Sequence, residues 1–170
     1  RALDGTSLAW GEALLAVGTF RGVDLLDPIT LHPQASLDAD GVFARSLAWA
    51  PGGSTLWVAS GGTIDQWAVD TRTRLASIDA GMDPQFVAAS SDGQRLAWAG
   101  SADAVVLWDV ARGSPIATPA GFARPIRGLA FSANGALLAA GGTNGTLNLL
   151  NGRTGAEVCR GFGHTSPVFD

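Results

Sequence analysis

Lysine and tyrosine are absent from the 170-residue chain, and Glu, His, Cys and Met are nearly so, with two Glu, two His, one Cys and one Met. The single cysteine, Cys159, excludes an intrachain disulfide, and an intracellular, cytoplasmic location is expected. Charged residues make up only 15% of the chain while hydrophobic ones reach 46%, a balance that excludes a disordered polymer. All eleven basic residues are Arg, fifteen acids outnumber them, and the net charge is −4. Such a chain lacks the basic footprint that a phosphate backbone requires, so no nucleic acid is expected as partner. The longest apolar runs, such as Ala13 to Val17 and Ala136 to Ala140, are roughly five residues against the ~20 of a spanning helix, so no membrane partner is expected. No charged and apolar leader opens the chain, so no secretory signal is expected.

What is abundant is turn chemistry. Glycine accounts for 23 residues. Nearly all the acids are Asp, which favours turns, rather than Glu, which favours helix interiors. The turns punctuate a repeat. Its four units contain SLAW, ALLAVG and VDLLD (from Ser7), SLAW, TLWVASG and IDQWAVD (from Ser46), FVAAS, RLAWAG and VVLWDV (from Phe86), and GLAFS, LLAAG and LNLLN (from Gly128). One marker position holds Trp10, Trp49, Ala89 and Phe131, at spacings of 39, 40 and 42. A second holds Leu26, Trp67, Trp108 and Leu150, at spacings of 41, 41 and 42. Two independent markers keeping one period of about forty residues define a repeat protein.

Each unit reads as strands. Its apolar runs are short, alternate in places (Leu47 and Trp49 one way, Ser46 and Ala48 the other), and close on Gly, Asp or Asn. Asp92-Gly93 and Asn134-Gly135 mark hairpins, with Pro51-Gly52-Gly53 in the same place. A fourth strand fits after the third, over residues 74–78, 115–118 and 156–160. A four-stranded meander has two apolar faces and cannot bury both alone, so the units are expected to stack radially. The fold class is therefore all-β, a β-propeller of four-stranded antiparallel blades, with a partial ring in this chain. The blades are placed at about residues 3–38, 39–80, 81–121 and 122–162, and residues 163–170 read as the first strand of a further blade.

The units resemble WD repeats. Leu107-Trp108-Asp109-Val110, the hydrophobic-aromatic-Ser-x-x-Gly hairpins, and Gly163-His164 followed by Ser166-Pro167-Val168 carry the likeness. The resemblance implies a ring of usually seven or eight blades that serves as a binding platform and seldom as an enzyme. It also implies structural roles for Trp49, Trp67, Asp103, Trp108, Asp109 and His164, with His, turn Asp, Ser or Thr, and Trp forming a buried hydrogen-bond network. The unit of Asp103 and Trp108 has Met82 where the His would sit, so that network is expected to be incomplete. Trp-Asp occurs once, its place being taken by Leu26-Asp27, Trp67-Ala68 and Leu150-Asn151. Four blades fall short of the usual ring, so the chain is expected to be part of a larger protein or to be completed by another chain.

Catalytic and metal signatures are weak. No GxSxG elbow occurs, and His32 and His164 read as a surface residue and a blade-network residue. Asp38-Ala39-Asp40-Gly41 opens like a calcium loop but lacks the distal Glu, and reads as a turn. Residues 141–145 are Gly-rich but precede a strand, and read as a tight turn rather than a phosphate loop. Cys159 has no second thiol for zinc and reads as a half-buried strand residue. The six tryptophans, Trp10 included, are expected mainly in the core. No catalytic, metal or cofactor site is expected. Arg45, Gln85 and Arg127 fall at one place, just before the innermost strand's core, with Phe43, Asp83 and Arg124 close by; these six are the candidate contacts for a protein or peptide partner. The function expected is a non-catalytic interaction scaffold or sensor. The alternatives are a half-propeller that forms a homo-oligomer to complete the ring, or the accessory propeller of a multidomain enzyme.

Overall fold

The computed structural model describes residues 6–38, 43–122 and 125–162. Among them every regular element is a strand. Sixteen strands form four sheets of four, each a meander in chain order. The first sheet is β1 (Ser7–Trp10), β2 (Leu15–Thr19), β3 (Gly22–Leu26) and β4 (Pro33–Asp38). The second is β5 (Ala44–Trp49), β6 (Thr55–Ser60), β7 (Thr63–Ala68) and β8 (Thr73–Asp79). The third is β9 (Pro84–Ala89), β10 (Arg95–Gly100), β11 (Val105–Asp109) and β12 (Ser114–Ala117). The fourth is β13 (Ile126–Phe131), β14 (Leu137–Gly142), β15 (Thr146–Asn151) and β16 (Glu157–Phe162). The chain divides into two compact units, Arg1–Pro84 and Gln85–Asp170.

The core of each unit lies between its two sheets. In the first, Ala16, Val23, Leu25 and Leu37 pack against Ala44, Leu47, Leu56, Val58 and Trp67. In the second, Ala97, Ala99, Val105 and Leu107 pack against Ile126, Leu129, Leu138, Ala140 and Leu150. The period-two alternation seen in the sequence decides which face enters: Leu47 and Trp49 both turn toward the first sheet. Burying each such aliphatic side chain contributes about 1.5–3 kcal/mol. The facing sheets are also pinned by hydrogen bonds. The Trp49 indole Nε1 donates to the Ala9 carbonyl at 3.0 Å, and Thr6 Oγ1 donates to the Ala44 carbonyl at 2.7 Å. The second sheet's backbone comes so near that a Cβ on Gly18 would stand 2.7 Å from the Ala44 carbonyl oxygen.

One irregularity recurs in all four sheets. The register between third and fourth strands slips at Leu25/Leu26, Gln66/Trp67, Leu107/Trp108 and Leu149/Leu150. Gln34, Leu75, Ile116 and Val158 are the extra residues that result. A bulge bends the outermost strand and spoils it as a template for another chain's strand. The bulges also account for the exposure of Leu75 and Val158, which the ladder no longer holds against a face.

The turn from third to fourth strand explains the irregular Trp-Asp signature. The Asp109 carboxylate accepts from the Arg112 N–H at 2.8 Å. Asp27 accepts from the Ile29 and Thr30 N–H groups, and Asn151 from those of Arg153 and Thr154. Asp or Asn at this place therefore caps a turn, which Ala68 cannot do. Four residues later the backbone enters the left-handed region in every repeat. Gly113 and Gly155 fill that place in the third and fourth, at φ 62° and 72°, whereas Leu31 and Arg72 fill it in the first two, both at φ 56°.

Two expectations need correction. Trp10 is 69% exposed and is not a core residue, because nothing among the described residues covers the face of the first sheet that it and Leu8 occupy. Cys159 is exposed rather than half-buried, since nothing among the described residues covers its side of the fourth sheet. Trp57, Trp67 and Trp98 are buried, and Trp98 lies against half-buried Trp108 with ring centroids 5.5 Å apart.

Candidate interaction surface

A second kind of bulge sets up the site. In β5 the register passes from Ala44 opposite Ser60 to Ser46 opposite Ala59, making Arg45 the extra residue of a bulge. In β13 it passes from Ile126 opposite Gly142 to Gly128 opposite Gly141, leaving Arg127. A bulge re-aims its extra side chain, and both arginines are exposed. The two positions matched by sequence are thus equivalent in backbone geometry. Gln85 stands at the corresponding place of β9, half-buried. Arg124 and His164 lie outside the described residues.

Around Arg45 the first unit assembles a cluster. The guanidinium carbon lies 5.1 Å from the Phe43 ring centroid, and Nη2 lies 3.3 Å from the Asp83 carboxylate. The other partner of Phe43 is Phe20, with centroids 5.0 Å apart and planes at 42°. Phe20 belongs to the β2–β3 turn and is 61% exposed. Phe43, Arg45 and Asp83, three residues read from the sequence, are therefore joined in one chain of contacts. Phe20 was missed, although the corresponding turns carry Gly61-Gly62 and Asn144-Gly145, so a bulky aromatic there was the available signal.

The cluster has little to do with stability. An exposed ion pair contributes about 0–1 kcal/mol, and an exposed cation–π contact about 0.5–1 kcal/mol. It leaves aromatic area in water beside a preordered guanidinium, the composition found at the centres of protein interfaces.

Elsewhere the polar groups serve the fold. Asp65 is buried and accepts from Ser77 Oγ at 2.5 Å, and Asp24 repeats this with Ser36 at 2.8 Å. Arg95, only 5% exposed, donates to the Gly152 carbonyl at 3.2 Å and pairs with Asp92, joining turns of the third and fourth sheets. The hydroxyl of Ser90 first of all, then the N–H of Gln94 and the Arg95 charge, hold the Asp92 carboxyl below its ordinary value against the effect of burial. The Asp103 carbonyl accepts from the N–H groups of Gly121 and Phe122 and shapes the link into the fourth sheet. The Trp67 indole N–H is buried without a partner, while Asp109 acts as the turn cap described above. His32 is exposed at the foot of β4. Among the described residues no group of three or more His, Cys, Asp or Glu could hold a metal ion.

Four-stranded antiparallel meanders in chain order, packed in pairs within each unit, are the architecture of a β-propeller fold. Residues 113–151 match the WD40 family model (WD domain, G-beta repeat), a segment that runs from the outer strand of one sheet to the third strand of the next. Among solved structures, the chain is similar to the β-propeller domain of Cps50 (Swd1) from Myceliophteria thermophila, with a TM-score of 0.85 and 18% identity over 100% of this chain and 59% of that one. A chain of the mitotic checkpoint complex matches with a TM-score of 0.82 and 24% identity over 99% of this chain and 55% of that one. The chain thus spans less than two thirds of either structure. No curated protein matches it. WD40 propeller domains are typically scaffolds for protein interaction and generally non-catalytic.

Proposed function

We propose that the chain is the propeller portion of a non-catalytic interaction scaffold, and that a protein or peptide partner docks on the Phe20–Phe43–Arg45–Asp83 cluster. The observation that carries this reading is the bulge at Arg45, which places a guanidinium beside half-buried Phe43, itself against exposed Phe20, and beside the Asp83 carboxylate. The sheets keep the turn of Phe20 and the bulge of Arg45 in fixed positions, so docking needs little loop ordering. Arg127 repeats the device in the second unit, with Gln85 at the matching place of β9.

Peptides selected from a random display library on the unaltered chain provide the test. Arg45→Ala and Phe20→Ala are each expected to weaken the selected peptides about tenfold or more, which corresponds to ~1.4 kcal/mol. The melting temperature should stay within about 2 °C, as for surface substitutions. Undiminished affinity in both variants would refute the site.

A further inference from the structure

Three of the four asparagines stand before glycine, at Asn134-Gly135, Asn144-Gly145 and Asn151-Gly152. In such a pair the glycine nitrogen can attack the asparagine side-chain carbonyl carbon, and the missing Cβ leaves that approach unhindered. All three glycines are buried, so the difference between the pairs lies in how the fold holds the asparagine and its other neighbours. Asn134 stands at the tip of the β13–β14 hairpin, where Ala133, Ala136 and Leu137 are exposed as it is. The Gly135 N–H donates to the Ser132 carbonyl at 2.8 Å, a bond contained within the tip, so local fraying releases it. Asn144 precedes buried Gly145 and Thr146, and the Thr146 N–H and hydroxyl both donate to its oxygen. Asn151 lies between buried Leu150 and Gly152, and the Gly152 N–H reaches across to the Ala136 carbonyl at 2.8 Å. A Cβ on Gly152 would collide with the Gly135 carbonyl oxygen, so the backbone after Asn151 turns only if two turns part.

The third repeat holds an aspartate in the same place. In its β9–β10 hairpin the Ser90 hydroxyl and the Gln94 N–H donate to Asp92 Oδ1, as the Ser132 hydroxyl and the Ala136 N–H donate to Asn134 Oδ1. The Gly93 N–H donates to the Ser90 carbonyl as that of Gly135 donates to Ser132. Both bonds to Asn134 use its oxygen, an acceptor that a carboxylate retains. Ser91 and Asp92 stay exposed although the fourth sheet packs against the third, so exposure belongs to the turn itself.

We propose that Asn134 is a site of spontaneous deamidation, that it reacts ahead of Asn144 and Asn151, and that the turn accepts its aspartate product. The Gly135 nitrogen gives up its proton and bonds to the Asn134 Cγ. The Cγ–Nδ2 bond breaks, and the amide nitrogen leaves as ammonia with a proton from water, closing a succinimide ring. Water then opens the ring. Cleavage of the new bond between Cγ and nitrogen gives aspartate. Cleavage of the original peptide bond gives isoaspartate, whose backbone is one carbon longer and no longer aligns the Gly135 N–H with the Ser132 carbonyl. Either product adds one negative charge to the hairpin tip.

The test is to age the chain at mildly alkaline pH, folded and in urea, and to follow the gain in mass as amide becomes acid. One tryptic peptide, residues 128–153, carries all three pairs, and its fragmentation places the change. In the folded chain Asn134 is expected to convert first, about tenfold or more faster than Asn151, because its tip opens locally. In urea the three rates should draw together. Asn134→Asp should keep the melting temperature within about 2 °C of the parent. Faster conversion at Asn144 or Asn151 in the folded chain, the same ranking persisting in urea, or a larger fall in melting temperature for Asn134→Asp would each overturn the proposal.

Discussion

The left-handed place in the third-to-fourth-strand turn offers a graded set of substitutions with opposite signs. Leu31 and Arg72 hold φ 56° there, whereas Gly113 and Gly155 fill the same place in the other two repeats. A residue with a Cβ in that region costs roughly 1–2 kcal/mol. Glycine avoids this cost but gives up about 0.5–1 kcal/mol through its greater freedom in the unfolded chain. Leu31→Gly and Arg72→Gly should therefore each stabilise by about 0.5–1 kcal/mol, and the reverse change Gly113→Ala should destabilise by about the same amount. Nothing lies within 4 Å of the site a Gly113 Cβ would take, so its loss measures conformation alone. A Cβ on Gly155 would instead meet the Ala117 Cβ at 2.6 Å. Gly155→Ala adds that overlap and should cost ~1–3 kcal/mol more. Urea unfolding followed by tryptophan fluorescence gives the four values. If Leu31→Gly and Arg72→Gly both destabilise, or Gly113→Ala and Gly155→Ala are equivalent, the reasoning fails.

Trp49→Phe removes the indole donor to Ala9 and should lower stability by about 1–2 kcal/mol, measured by the same unfolding curves. Ala68→Asp supplies the turn cap that Asp27, Asp109 and Asn151 supply elsewhere, and should raise the melting temperature by about 1–4 °C. The Asp92 carboxyl titrates below its ordinary value of 3.8 when folded, so its contribution is complete above that pH and disappears as pH falls through the lower folded value. Acid titration of Asp92→Asn should accordingly show a shallower loss of stability below about pH 4 than the parent chain.

The fold was legible because its signals are local. Strand length, period-two alternation and turn residues are fixed within each run of forty residues, and Leu47 and Trp49 declare their buried face by spacing alone. Trp10 misled because the same spacing does not reveal whether a neighbouring sheet is present. Cys159 misled for the same reason at the other uncovered face. Within the candidate site, Arg45 and Arg127 were found by alignment, but the bulge that unites them depends on cross-strand register and is silent in the sequence. Phe20 was overlooked because it stands in a turn and meets Phe43 only through folding. Arg95 was read as the opening of a strand; its burial against Gly152 is set by how the third and fourth sheets pack.

The account rests above all on four meanders in one shared register. Cross-strand nuclear Overhauser effects in the isotope-labelled chain test it most directly. Contacts linking Ala9 with Ala16, Leu47 with Val58, Ala97 with Leu107 and Ala139 with Leu149 are expected, together with one between the Trp49 indole proton and Ala9. Helical sequential contacts through these segments, or pairing between strands that are not consecutive, would contradict it.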